Sequence, residues 1–396
     1  MGQDYTEFAL SVSVMAMTDS FGLYIHVPFC ATRCGYCDFN TYTPGELGSP
    51  QDLTGPYLDA LERELDKAAE KINRPADTIF VGGGTPSLLG GAGLTRVLNA
   101  ARNSFGISPG AEITTESNPE STSPEFFEQI KEAGFTRVSL GMQSASSHVL
   151  QILERAHTPG RPFAAAKEAK AAGFDHVNLD MIYATPTETD DDVRRTLDLA
   201  LDTGVDHISA YSLIVEDGTR MARKVAKGEL PMPDQDTMAR RYEIIAGRLD
   251  DAGFGWYEVS NWAKEGGECR HNMIYWRDQE WWGAGPGAHS HIGKQRFYNV
   301  KLPARYIKML GEGELPIADS ETLTAEENHM EKIMLGLRLR EGIDRSLLTP
   351  AAQPAVEGFI ERGLLVDDGR LRVTNTGRLL ADGIITDLLL AEESET

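Results

Sequence analysis

One phrase recurs along this chain: Ala133-Gly-Phe-Thr-Arg-Val-Ser-Leu140, Ala172-Gly-Phe-Asp-His-Val-Asn-Leu179, Thr203-Gly-Val-Asp-His-Ile-Ser-Ala210 and Ala252-Gly-Phe-Gly-Trp-Tyr-Glu-Val259. Each copy follows a segment with helical patterning, at 123–132, 162–171, 189–202 and 236–251. The shared glycine suits the left-handed conformation that ends a helix, and the apolar run after it reads as a strand. The glycines at 134, 173, 204 and 253 are 39, 31 and 49 residues apart, about the length of a helix, a loop and a strand. Upstream, 23–27, 78–81 and 111–116 read as further strands, with helices over 56–72 and 94–105 between them. Alternating strands and helices imply a parallel sheet with right-handed crossovers. Strands near 23, 78, 111, 136, 175, 206 and 255 number six or seven, short of the eight that close a barrel, so the expected class is α/β with a partial, open (β/α)6 barrel. In such folds ligands gather at the carboxyl ends of the strands.

Past residue 300 the texture changes to a helix over 325–340, a second over 356–362, a hairpin over 364–373 turning at Asp368-Gly369, and a helix over 376–390. That order suggests a small winged-helix-like α+β domain. The division expected is therefore a disordered N-terminal extension at 1–21, a core at 22–300 and a C-terminal domain at 301–396. With 38 basic and 60 acidic residues the formal charge is −22, which argues against a nucleic-acid groove or a polybasic membrane anchor. The C-terminal module is accordingly read as a packing or docking unit, since a wing fold alone does not imply DNA binding. The apolar run within 11–20 carries no basic flank, no stretch approaches the roughly 20 apolar residues of a membrane span, and Met15 and Met17 are alternative starts. Four cysteines in 396 residues suit a reducing, cytoplasmic compartment. Peripheral membrane contact and a homodimer stay open.

Three of those cysteines fall within eight residues, Cys30-Ala-Thr-Arg-Cys34-Gly-Tyr-Cys37, and the fourth, Cys269, lies far downstream. An odd cluster argues against disulfides. Three thiolates on one loop suit three irons of a cubane cluster, leaving the fourth iron open to a ligand. Zinc is the alternative, with His26 or Cys269 as candidate fourth ligand.

After the second strand, Val81-Gly-Gly-Gly-Thr-Pro-Ser87 offers backbone N–H and C=O groups at close range, suited to an amino acid's amine and carboxylate or to a phosphate, or else forms a tight turn. It has neither the Gly-Lys-Ser/Thr ending of a P-loop nor G-x-G-x-x-G spacing. Glu116, Gln143 and Asp180 end apolar strands, where each faces a ligand or serves as a cap or ion-pair partner. Arg155 is a surface arginine by default and a bidentate clamp for a carboxylate otherwise.

Taken together, Tyr24-Ile-His-Val-Pro-Phe-Cys30, the C-x-x-x-C-x-x-C spacing and Gly82-Gly-Gly-Thr-Pro86 resemble the radical S-adenosylmethionine superfamily over about residues 22–390. Within it the likeness is to the group of oxygen-independent coproporphyrinogen III oxidases and HemW haem chaperones. The resemblance implies a radical-SAM barrel and a 4Fe-4S cluster on Cys30, Cys34 and Cys37, its fourth iron chelated by S-adenosylmethionine. Carried over by position, Tyr24, Tyr36, Gly83, Gly84, Thr85, Glu116, Gln143, Arg155 and Asp180 match the family's S-adenosylmethionine contacts. No catalytic residue is assigned.

Downstream, His271-Asn-x-x-Tyr275-Trp276 resembles the haem-binding motif of HemW proteins, which implies haem as a third cofactor with His271, Tyr275 and Trp276 beside it. On residue types alone these aromatics equally pack the open side of the barrel, with His271 in an ordinary hydrogen bond; His289 and His291 are weaker candidate ligands, and Cys269 lies close by. The oxidases resemble C-x-x-x-C-x-x-C-x-C, whereas this chain has Phe39 at the last position, and only 29 residues precede Cys30 where the oxidases carry a longer segment. The expected function is therefore that of a haem chaperone, with haem or porphyrin and haem-accepting respiratory proteins as partners and an unidentified electron donor. The alternative is a coproporphyrinogen III dehydrogenase that decarboxylates two propionates, or another radical enzyme on the same scaffold.

Overall fold

The computed structural model describes residues 20–47 and 50–393. Six strands, β1 (Phe21–Val27), β2 (Ala76–Gly83), β3 (Ile107–Ser117), β4 (Arg137–Gln143), β5 (His176–Tyr183) and β6 (His207–Ser212), pair in parallel, each with the next. Helices Pro50–Lys71, Gly90–Ser104, Pro124–Ala133, Arg161–Ala171 and Asp190–Leu201 connect them. Local sequence sets several of these boundaries. Ser123 accepts a hydrogen bond from the Phe126 N–H to start one helix, and Thr189 with Asp192 forms a capping box at another. The four recurring glycines all have positive φ, from 75° at Gly204 to 115° at Gly134.

The wall of the partial barrel follows from period-two patterning. On β4 and β5, Val138, Leu140, Val177 and Leu179 belong to the main hydrophobic core, while the intervening Arg137, Ser139, Asn178 and Asp180 line an interior cavity. Thr114 and Glu116 on β3 and His207 and Ser209 on β6 continue that inner face. The apolar side lies beneath the helices, so the barrel has a polar interior inside an apolar shell.

At the edges the pairing departs from the sequence reading. The strand expected near 255 is β7 (Gly255–Glu258), but β8 (Asn261–Ala263) lies between it and β6, antiparallel to both. The seventh parallel strand is instead β9 (Glu280–Ala284), which pairs with β1 on the opposite side. Antiparallel β10 (His289–Ile292), β11 (Gln295–Asn299) and β12 (Ile317–Thr322) extend that edge, giving one twelve-stranded sheet. Residues 301–322, assigned from sequence to the C-terminal domain, thus supply β12 to the large sheet and a helix, Pro303–Gly311, packed on Pro50–Lys71.

A second core, with Ile333, Val356, Phe359, Leu371, Ile384 and Leu388 at its centre, unites helices Ala325–Gly336, Gln353–Glu361 and Ala381–Glu393 with the hairpin Leu365–Asp367/Leu371–Val373. Of the N-terminal extension expected at 1–21, residues 1–19 lie outside the described residues, and Phe21 already opens β1, fully buried. Among the described residues no helix is long and apolar enough to cross a membrane.

Candidate functional site

The cysteine loop leaves the carboxyl end of β1. A bridge between Phe29 and Tyr42 closes its base, with Cys30 N donating to Tyr42 O at 3.0 Å and Tyr42 N to Pro28 O at 2.7 Å. Its middle is pinned from outside: Gly35 N donates to Leu153 O, Met221 N donates to Gly35 O, and Tyr36 packs among Val149, Leu153 and Leu213. All three thiols are free, Cys30 buried and Cys34 and Cys37 half-buried. The Thr85 hydroxyl points at Cys30 Sγ from 3.7 Å and Arg155 Nη1 at Cys34 Sγ from 3.2 Å. Burial pushes the Cys30 and Cys37 thiols up. Among the described residues no group of three or more His, Cys, Asp or Glu side chains forms a ligand set for a metal ion. Both zinc candidates are engaged elsewhere: His26 Nδ1 lies 3.0 Å from the Tyr24 hydroxyl and Nε2 2.9 Å from Asn40 O, while Cys269 is buried against Glu112. Three free thiols on one braced loop beside a guanidinium fit an iron–sulfur cluster with one open iron.

The glycine loop crosses over the start of this segment. Gly84 N donates to Val27 O, Thr85 N to Phe29 O and Gly83 N to Glu116 Oε2. The N–H groups expected to meet a ligand are therefore taken within the protein, and what the glycines provide is close approach. A Cβ at Gly84 would lie 2.5 Å from Phe29 O, and Gly83, at φ 108°, is pressed on the His26 ring.

Around this loop the strand ends converge. Glu116 and Asp180 both border the cavity of about 210 Å³ inside the barrel. Burial, with Asp180 nearby, pushes Glu116 up to about 8. Burial also raises Asp180, against hydrogen bonds from Ser139 and Asn178 and the field of Arg155. Arg155 reaches the site because Gly141 is bare: a Cβ there would sit 2.6 Å from its guanidinium. Gln143, at a register shift between β4 and β5, is held at φ 66°, a strained conformation of the kind that functional sites concentrate. Two carboxylates, a phenol at Tyr24 and a guanidinium beside the thiols suit a ligand with a positive centre, hydroxyl or amine donors and a carboxylate.

The amino end of the barrel is closed. Helix Arg270–Trp276 lies across the starts of β1 and β2, with His271 against Gly22 and Thr78. His271 is fully buried, its Nδ1 2.7 Å from the Thr78 hydroxyl and its Nε2 2.8 Å from the Tyr275 hydroxyl, and its ring stacks on Phe80 at 5.2 Å. Burial pushes its pKa down to about 4. Glu112 accepts the N–H groups of Arg270 and His271 and pairs with Arg137 at 3.2 Å. Trp276 turns away from the cavity onto Tyr257, Met273 and Leu339. Both imidazole nitrogens of His271 are thus engaged by hydroxyl groups of the protein itself.

Residues 24–200 match the radical SAM superfamily and 323–380 the HemN C-terminal domain. The chain is 54% identical over 373 residues to the heme chaperone HemW of Mycobacterium tuberculosis (strain CDC 1551 / Oshkosh), covering 93% of this chain and 95% of that protein. It is 33% identical to heme chaperone HemW of Bacillus subtilis (strain 168), covering 91% of this chain and 97% of that protein. The chain belongs to the HemW branch of the radical SAM superfamily. A coproporphyrinogen III oxidase (HemN) from Escherichia coli superposes with a TM-score of 0.81 over 93% of this chain and 90% of that one, at 23% identity, which shows a shared fold.

In this HemW-family fold the residues carried over by resemblance divide into two groups. Cys30, Cys34, Cys37, Tyr24, Tyr36, Gly83, Gly84, Thr85, Glu116, Gln143, Arg155 and Asp180 lie on the cysteine loop or on the β1–β5 wall and the segments just beyond it. His271 and Tyr275 lie on the closing helix at the other end, and Trp276 faces outward from it. Sequence reasoning passed over Glu112 and Glu64. Glu112 was signalled by its place four residues before Glu116 on one strand, hence on the same face. Glu64 was signalled by its position between Ala60 and Ala68 on an apolar helix stripe; it is fully buried and receives Gly285 N, Asn299 Nδ2 and the Tyr306 hydroxyl, fixing the loop that follows β9.

Proposed function

We propose that this protein is a cytoplasmic haem chaperone that carries a 4Fe-4S cluster on Cys30, Cys34 and Cys37, binds S-adenosylmethionine at the carboxyl ends of the barrel strands, and passes haem to haem-requiring proteins. The observation that carries this reading is the 54% identity to a heme chaperone HemW along 93% of the chain. Phe39 adds to it, because an exposed phenylalanine stands where the oxidases have a further cysteine. When bound, the cluster and S-adenosylmethionine supply one-electron chemistry at the sulfonium.

The chain's own groups have definable tasks. Arg155 neutralises charge at Cys34 and reaches toward a ligand carboxylate. Glu116 and Asp180, raised while the cavity is empty, lose protons when a cationic ligand enters, so ligand binding is coupled to proton release. Tyr24 and Phe80 stack ring on ring, 6.3 Å between centroids, in the cavity wall. The protein's acceptors, its electron donor and any peripheral membrane contact or dimer act on this same body.

The test uses anaerobically reconstituted full-length protein. Haem is expected to bind in a defined complex and to pass to an apo-haemoprotein, with no porphyrinogen product formed from coproporphyrinogen. Steady decarboxylation of coproporphyrinogen without a haem complex would overturn the reading.

A further inference from the structure

We infer that His207, on β6, is a positioning residue for S-adenosylmethionine, aiming the Asp180 carboxylate into the barrel cavity through the side-chain amide of Asn178; this rests on the S-adenosylmethionine reading above.

Strand register brings these side chains together. Ser139, Asn178 and His207 are paired neighbours across β4, β5 and β6, and Gly141, Asp180 and Ser209 form the next row toward the carboxyl end. Residues two apart on a strand share a face, so both rows look into the barrel, and all of them except Gly141 line its cavity. His207 Nδ1 lies 2.7 Å from Asn178 Oδ1. Asn178 Nδ2 in turn lies 2.6 Å from Asp180 Oδ1, 2.8 Å from Ser139 Oγ and 3.0 Å from Ser209 Oγ. Ser139 Oγ donates to Asp180 Oδ2 at 3.0 Å, so each carboxylate oxygen has a donor of its own. On the other side of the imidazole, His207 Nε2 lies 2.7 Å from the Tyr257 hydroxyl, which accepts the Cys269 N–H at 3.2 Å.

Donor and acceptor roles run in one direction along this series. At its far end the Cys269 N–H can only donate. Among the described residues the Tyr257 hydroxyl has no hydrogen-bond partner besides that N–H and His207, so its own hydrogen goes to His207 Nε2. Burial holds the His207 pKa well below the usual histidine range, and a neutral imidazole that accepts at Nε2 carries its hydrogen on Nδ1. Nδ1–H then donates to Asn178 Oδ1, which turns the amide N–H groups toward Asp180. The near end requires the same direction, because an ionised carboxylate only accepts. Both ends therefore select one tautomer of His207 and one orientation of Asn178.

Without a donor at Nδ1, the Asn178 amide would be free to flip and set its oxygen against the Asp180 carboxylate. His207, Asn178 and Tyr257 are all buried, so water does not replace a lost bond. The series is neutral from Tyr257 to Asn178. It fixes the direction of the carboxylate without supplying a counter-charge, and the positive centre is left for the ligand to bring.

Nitrogen-15 NMR of histidine-labelled, anaerobically reconstituted full-length protein reads the tautomer before ligand is added, the His207 resonances being assigned by their loss in His207→Asn. Nδ1 protonated and Nε2 bare is the expected result, and the opposite tautomer or an imidazolium at pH 7 overturns the inference. S-adenosylmethionine is then titrated calorimetrically into reconstituted wild type, His207→Leu, His207→Asn, Asp180→Asn and the double variant His207→Leu with Asp180→Asn, with circular dichroism as the check on folding. His207→Leu is expected to weaken binding about tenfold, and His207→Asn, whose amide keeps a donor near the place of Nδ1, only about twofold. In the Asp180→Asn background His207→Leu should change affinity by less than about twofold, because the group it acts through is gone. If His207→Leu does not fold, Asn178→Ala takes its place in the cycle with the same expectations. Equal losses in both backgrounds, or no loss in either, overturn the positioning role alone. Wild type that takes up a cluster and binds no S-adenosylmethionine overturns the S-adenosylmethionine reading with it.

Discussion

Glu112 and Glu116 lie four residues apart on one strand and face the same barrel interior, yet their surroundings drive them in opposite directions. Burial would raise Glu112, but the Arg137 guanidinium and the N–H groups of His271 and Arg270 outweigh it and hold the carboxyl below the usual range. At Glu116 burial and the neighbouring Asp180 act together, against one N–H from Gly83, and push it up to about 8. The same contrast distinguishes the two ends of the barrel. At the amino end each buried charge is matched from within the chain. At the carboxyl end two carboxylates crowd one another and Gln143 is strained at φ 66°. A site built to be completed by a ligand looks unfinished without it, and a closure does not.

The largest expected effect separates the two ends by cysteine. Replacing Cys30, Cys34 or Cys37 with Ser should abolish the brown chromophore and most iron and sulfide after reconstitution, whereas Cys269→Ser, at the closed end, should retain them. An unchanged iron content in the first three would end the cluster assignment. Next in size, Arg137→Met leaves Glu112 buried without its guanidinium and should cost about 3–5 kcal/mol in urea unfolding at pH 7. The sign of its pH dependence follows from the depressed carboxyl. In wild type the Glu112 contribution is complete above its unfolded value of 4.5 and is lost as pH falls through the lower folded value, so acid should narrow the gap between wild type and Arg137→Met. A gap that widens in acid would mean that Glu112 is not the group that Arg137 stabilises.

How much of this was legible beforehand depends on the range of the interaction. The helix–glycine–strand phrase was a local signal for β4, β5, β6 and β7, the alternation of strands and helices for β1 to β3, and Asp368-Gly369 for the hairpin. Pairing order at the sheet edges is non-local: nothing in Glu280–Ala284 marks it as the neighbour of β1, and nothing in Asn261–Ala263 marks its insertion beside β6. The glycine loop was recognisable as a close approach, but its N–H donors are taken by Val27, Phe29 and Glu116, partners that only folding brings within reach. His271 was noticed for its aromatic neighbours. The same neighbours bury it, and residue type does not distinguish a ring that awaits a ligand from one that already has its bonds.

The smallest effect tests the unfinished end most directly. Glu116→Gln keeps an oxygen for the Gly83 N–H, now 3.0 Å from Oε2, and removes the charge that crowds Asp180. In wild type the folded carboxyl holds its proton up to about 8 while the unfolded one releases it near 4.5, so folding binds a proton across that window. The corresponding stability is fully present below pH 4.5 and is lost as pH rises toward 8. The variant has no such loss, and in the ligand-free protein it should gain on the order of 3 kcal/mol over wild type at pH 8 relative to pH 5. Urea unfolding of both proteins at the two pH values measures the difference. S-adenosylmethionine affinity should move the other way, weakening in the variant, because the charge that destabilises the empty cavity is the one that receives a cationic ligand. Equal stability differences at pH 5 and pH 8 would show that Glu116 titrates normally, and the contrast with Glu112 would then reduce to geometry.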